Sequence, residues 1–113
     1  MREALLDGFC RTEKAFNEFA DTHKDNSGST AVVAMVCDSW VVIANVGDSS
    51  GLFYNENAWV ARNGERSVQT KAHNINNPDE KSRVEAAGGT FENGRLFNKL
   101  QPTRTFGNRD VRR

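Results

Sequence analysis

Between Thr30 and Val46 the chain reads "TAVVAMVCDSWVVIANV", two nearly continuous runs of β-branched and small apolar residues separated only by Asp38 and Ser39. Side chains alternate across a strand, so a strand with one wet face alternates apolar with polar. Runs without that alternation are apolar on both faces. Two of them around a short turn predict an antiparallel hairpin in the middle of a layered structure, covered by helix on one side and by another layer on the other. Everything else in the sequence has to supply those covers.

One cover stands just upstream. Leu5, Phe9, Phe16 and Phe19, with Leu6, Cys10 and Ala20 beside them, form one apolar stripe on a helix from about residue 2 to residue 22, weakened locally by Gly8. At about 1.5 Å per residue that helix is about 30 Å long, enough to lie along the hairpin. "HKDNSGS" then breaks the periodicity with turn formers.

Downstream the strands become short and polar. "GLFYN" and "AWVAR" flank Asn55-Glu56-Asn57 as a second hairpin candidate, and "SVQTKA" is a further strand candidate. In "NNPDEKSRVEAAGG", Asn77 suits the N-cap and Pro78 the first helical position. Asp79 and Glu80 complement the positive helix start, and Gly88 suits the left-handed position past the end. This helix has a thin apolar face (Val84, Ala86, Ala87) and belongs on the edge of the domain. "TFENGRLFNKLQ" reads as strand pieces around a tight Asn93-Gly94 turn, and "PTRTFGNRDVRR" as a loop.

Composition narrows the function classes. The 113 residues suit a single domain, residues 1–113. Fifteen basic and fifteen acidic side chains cancel and the basic ones are dispersed, so no patch is available for counterion release from nucleic acid. No apolar run approaches the roughly 20 residues of a membrane span, and no signal-type stretch follows Met1. The expected location is cytoplasmic. Cys10 and Cys37 have neither the number nor the spacing of a disulfide framework or zinc site, and are expected to be reduced, buried small residues.

The order "SGSTAVVAMV", "WVVIANVGDSSGLF", "NPDEKSRVEAAGG", "RLFNKLQPTRTFGN" resembles the metal-dependent type 2C protein serine/threonine phosphatases in sequence and spacing. The resemblance implies an α+β fold, an α-β-β-α sandwich of antiparallel sheets with flanking helices, here an incomplete version. It also implies a binuclear Mn²⁺ or Mg²⁺ site, at which Asp48 of the Gly-Asp-Ser motif contributes to an additional metal position. The family's main ligands lie outside the matched stretch.

Hard cations need several oxygen ligands, and a two-metal hydrolase needs converging carboxylates. Asp38 falls in the hairpin turn, Asp110 in the tail, and Asp79 and Glu80 at a helix start, so none has a context that would bring it to Asp48. Ser50 stands where the family has arginine, and Asn108 where it has aspartate. Arg104 and Arg95 match family arginines, with a solvated or packing role as the plainer alternative. His23 and His73 are expected on surface loops, and Ser29 and Thr30 lack the base that would make a nucleophile.

Two functions are carried forward, beside a third possibility of an unrelated α+β module without chemistry. One is a phosphoprotein phosphatase domain, inactive as this chain alone; the other is a non-catalytic phosphatase-like module that binds a protein partner. An apolar hairpin lacking neighbours also predicts either self-association, as a homodimer in which a second copy supplies the missing layer, or that the chain is a piece of a larger one.

Overall fold

The computed structural model describes residues 2–54 and 67–111. The hairpin forms as expected. Strand β2 (Ala31–Cys37) pairs antiparallel with β3 (Trp40–Val46), in a register running from Ala31 opposite Val46 to Cys37 opposite Trp40. Asp38 turns the chain at φ 47°, a left-handed conformation that Asp tolerates better than most residues.

Ahead of it, helix α1 (Arg2–His23) sets only part of its expected stripe over one side, with Leu6, Cys10 and Phe19 left exposed. Leu5 and Ala20 are buried, and the Phe9 ring meets Phe106 at 5.5 Å between centroids. Leu5 and Phe9 share a groove with Ala31 and Val33, so this is the hairpin face that α1 covers. A two-residue ladder closes the chain on itself: β1 (Gly28–Ser29) pairs with β8 (Phe106–Gly107) under the same helix. Gly107, at φ +73°, lets the backbone pass close beneath Phe16, where a Cβ would strike the ring and the Ser27 carbonyl.

The other hairpin face differs from expectation. Val32, Val36 and Val41 remain exposed, and among the described residues no second layer covers them; on the α1 side Val33 and, at the turn end, Trp40 are exposed as well. The radius of gyration, 16.2 Å, exceeds the roughly 13 Å of a compact chain of this length. A core of Leu5, Ala20, Val84 and Leu96 is correspondingly thin.

Strand β4 (Leu52–Tyr54) pairs antiparallel with β5 (Ser67–Gln69), so the "SVQTKA" strand is present; "AWVAR" lies outside the described residues. Helix α2 (Pro78–Ala86) has the ends its sequence specifies. The Asn77 side chain accepts the Asp79 N–H at 3.2 Å, while Gly88 N–H donates to Glu85 O at 3.0 Å and Gly89 N–H to Val84 O at 2.8 Å, the double bond of a Schellman end. Gly88 has φ +87°. Strands β6 (Phe91–Glu92) and β7 (Arg95–Leu96) meet through Asn93 and Gly94, both at positive φ.

Three expectations are corrected. Cys10 and Cys37 are free but exposed, because Cys10 points into the open groove beside α1 and Cys37 lies at the turn end of the hairpin. His23 sits in the last turn of α1 rather than in a loop. The segment after Pro102 is not all loop, since it contributes β8.

Replacing Asn77 by Ala should cost about 1 kcal/mol in denaturant or thermal unfolding, while Asn77→Asp, which keeps an acceptor, should be close to neutral.

Candidate functional site

β3 ends where the chain must leave the hairpin, and Gly47 makes the exit. It is buried, has φ +101°, and has Thr30 and the Arg104 carbonyl directly behind it, so a Cβ would collide with the Thr30 side chain. Both of its backbone polar groups are held. Gly47 N–H donates to His73 Nδ1 at 3.0 Å, and Gly47 O accepts the His73 N–H at 2.8 Å. Asn45 Nδ2 lies within hydrogen-bond distance of three carbonyls, Gly47 at 3.3 Å and Ser49 and Lys71 at 3.2 Å each. The Ser49 and Thr30 hydroxyls bond at 2.9 Å. Beyond them Gly51 exchanges two bonds with Thr70, through N–H to Oγ1 at 2.9 Å and from the Thr70 N–H at 3.0 Å.

Asp48 sits in the middle of this pinned loop. Its side chain is half-buried and takes no hydrogen bond among the described residues. The backbone on either side of this carboxylate is fixed, by the bonds to Gly47 and to the Ser49 carbonyl.

Behind the loop lies the most heavily bonded carboxylate of the described residues. Glu80, in the first turn of α2, is only 5% exposed. Its Oε2 accepts Arg83 Nε at 3.2 Å, Arg83 Nη2 at 2.8 Å and Thr103 Oγ1 at 3.0 Å. Its Oε1 accepts Arg104 Nε at 2.8 Å and Nη2 at 2.6 Å. Burial alone would push this carboxyl up, but the bonds from Arg104, Arg83 and Thr103 outweigh it and hold the pKa at about 2, against an ordinary 4.5. The same charges act on His73. Burial lowers its pKa, the Glu80 charge opposes that, and Arg104 and Arg83 add to the lowering.

His73 is therefore not the surface-loop residue expected from sequence. It is half-buried, and its own carbonyl accepts the Thr103 N–H at 2.8 Å, linking the loop to the segment that carries Arg104. Arg104 takes the packing role, as an ion-pair partner of Glu80. Arg95 stays exposed and donates from Nη1 to the Lys99 carbonyl at 3.1 Å. Asn108 donates to Thr105 Oγ1 at 2.7 Å and packs against Gly28. Ser50 is exposed, and Ser29 donates to the Thr30 carbonyl at 2.8 Å. Sequence reasoning missed the roles of Glu80, His73 and Asn45, whose partners are 24, 26 and up to 26 positions away. Their only sequence signal was polar side chains inside otherwise apolar or turn-forming stretches.

A divalent centre needs more than this loop holds. Among the described residues no group of three His, Cys, Asp or Glu side chains converges, so the residues present do not fit a metal pair.

Helix, apolar hairpin, Gly-Asp loop and capped second helix follow one another as the sequence motifs require, and together they define a phosphatase-type α+β domain region. The chain belongs to the protein phosphatase 2C family, whose model matches residues 1–113. It is 30% identical to the integrin-linked kinase-associated serine/threonine phosphatase 2C of Bos taurus, over 100% of this chain and 31% of that protein. A probable protein phosphatase 2C 2 of Paramecium tetraurelia is 36% identical, over 89% of the chain and 32% of its own length. The human protein phosphatase 1B is 31% identical, over 99% and 22%. The chain thus spans about a third or less of these relatives.

Because the Glu80 pKa is depressed on folding, its contribution to stability is complete above pH 4.5 and disappears as pH falls from there toward 2. The shift corresponds to about 3 kcal/mol, and unfolding followed between pH 7 and 2 should show that loss. Glu80→Gln should destabilise the chain at pH 7 and flatten the acid limb.

Proposed function

We propose that this chain carries part of the cleft of a phosphoprotein phosphatase that hydrolyses phosphoserine and phosphothreonine with Mn²⁺ or Mg²⁺. Asp48 is the metal ligand it contributes. The observation supporting this reading is the loop after β3: its backbone is bound on both sides, and the Asp48 oxygens take no hydrogen bond among the described residues. The further carboxylates of a metal pair would come from chain beyond the 113 residues, since a single carboxylate does not retain two hard cations. On this reading the substrate is a phosphorylated protein, and the place of action is cytoplasmic. No helix among the described residues is long and apolar enough to cross a membrane.

A second reading, a non-catalytic phosphatase-like module, is favoured by Ser50 and Asn108, which stand where the family motif carries charge. Hydrolysis of an aryl phosphate with Mn²⁺, measured on the chain and on Asp48→Ala, separates the two. The expected result is no turnover from this chain alone, together with weak Mn²⁺ broadening of the amides around Asp48 that the substitution removes. Metal-dependent turnover lost in Asp48→Ala would eliminate the binding module. Equal broadening in both proteins would remove Asp48 from the metal site.

A further inference from the structure

We infer that His73 is a positioning residue for Asp48: its imidazole, with the proton on Nε2 and the lone pair on Nδ1, holds the Gly47 peptide that presents the Asp48 carboxylate. The geometry requires a side chain at this point. His73 N–H donates to Gly47 O at 2.8 Å, which begins a pairing like that of two strands. In such a pairing the carbonyl of the same residue would receive the returning N–H. Here that carbonyl accepts the Thr103 N–H at 2.8 Å instead, and it takes no bond from Gly47. Gly47 N–H is in a buried residue and would be left without an acceptor, a loss comparable to a buried hydrogen bond. The ring nitrogen, 3.0 Å away, replaces the missing carbonyl.

That role fixes the tautomer. An imidazole nitrogen accepts only when it carries no proton, so the proton of neutral His73 is on Nε2. In the imidazolium form Nδ1–H would face Gly47 N–H, donor against donor. The charged groups acting on the ring are Glu80, which favours that form, and Arg104 and Arg83, which oppose it along with burial. The ring and Arg104 line one wall of a groove of about 700 Å³ between α1 and β3, in company with Asn45, so the residues that hold the loop adjoin one another. Asn45 grips the Gly47 and Ser49 carbonyls on either side of Asp48, and His73 grips the peptide before it.

The hold on Gly47 is independent of what Asp48 binds; only its consequence for a metal rests on the reading above. In the unsubstituted chain, long-range ¹H–¹⁵N spectra of the imidazole at pH 7 should show Nδ1 unprotonated and Nε2 protonated. A protonated Nδ1 in the neutral ring overturns the proposal without any variant. Among variants, His73→Asn places an oxygen where Nδ1 was and should keep the slow hydrogen exchange of the Gly47 amide. His73→Gln places its oxygen at the Nε2 position, and His73→Phe has no acceptor. Both should exchange about tenfold faster or more at Gly47, the consequence of losing one buried hydrogen bond, with the Val42 amide in mid-β3 unchanged.

Unchanged Gly47 exchange in His73→Phe, or equal acceleration in Asn and Gln, refutes the positioning role. Mn²⁺ broadening at Asp48 should weaken in His73→Gln and persist in His73→Asn. If the unsubstituted chain shows no broadening while the exchange pattern holds, the metal reading fails and the positioning of the loop stands.

Discussion

The described structure depends on one buried carboxylate. Glu80 is neutralised by Arg83 from its own helix and by Arg104 from a segment 24 residues away, with Thr103 completing the shell. An isolated charge at 5% exposure would be prohibitive, and removing one partner of a buried set costs more than the set contributes net. Its value is geometric. It locks α2 to the Thr103–Arg104 segment, Thr103 holds His73, and His73 holds the loop after β3. The ordering of Asp48 is thus transmitted from a helix that never touches it through three backbone or ring hydrogen bonds.

A second constraint is the shortage of apolar partners. The hairpin carries more β-branched surface than α1 can cover, and its other face stays exposed around Val32, Val36 and Val41. With four small or medium apolar side chains buried among the described residues, the hydrophobic term there is modest, and polar networks and end caps hold a larger share of the structure than they would in a compact domain. The family assignment gives this a physical context. The relatives are about three or more times as long as the stretch they share with this chain.

Local chemistry was legible in sequence. The α2 ends were readable because Asn77, Pro78 and Gly88 each satisfy backbone groups within four residues of themselves. The Asn93-Gly94 turn was readable because positive φ at two consecutive positions favours that dipeptide. The hairpin register followed from a two-residue turn. Less legible were features that depend on distance in the chain. His73 looked like a surface residue because its acceptor role is set by Gly47, and Arg104 could be solvated or packed until Glu80 was seen beside it. Cys10 and Cys37 lack the number and spacing of a disulfide or zinc site, but whether such a thiol is covered depends on packing that no spacing encodes.

By itself the sequence determined the two helices, the central hairpin, the caps and turns, and the family, since each follows from short-range periodicity or an ordered set of motifs. Only the tertiary structure decided which polar side chains hold the Asp48 loop, which hairpin face is covered, and that Glu80 is buried with its pKa near 2. Those outcomes turn on which residues distant in the chain come within 3 Å of one another. No pattern of period 2 or 3.6 encodes that.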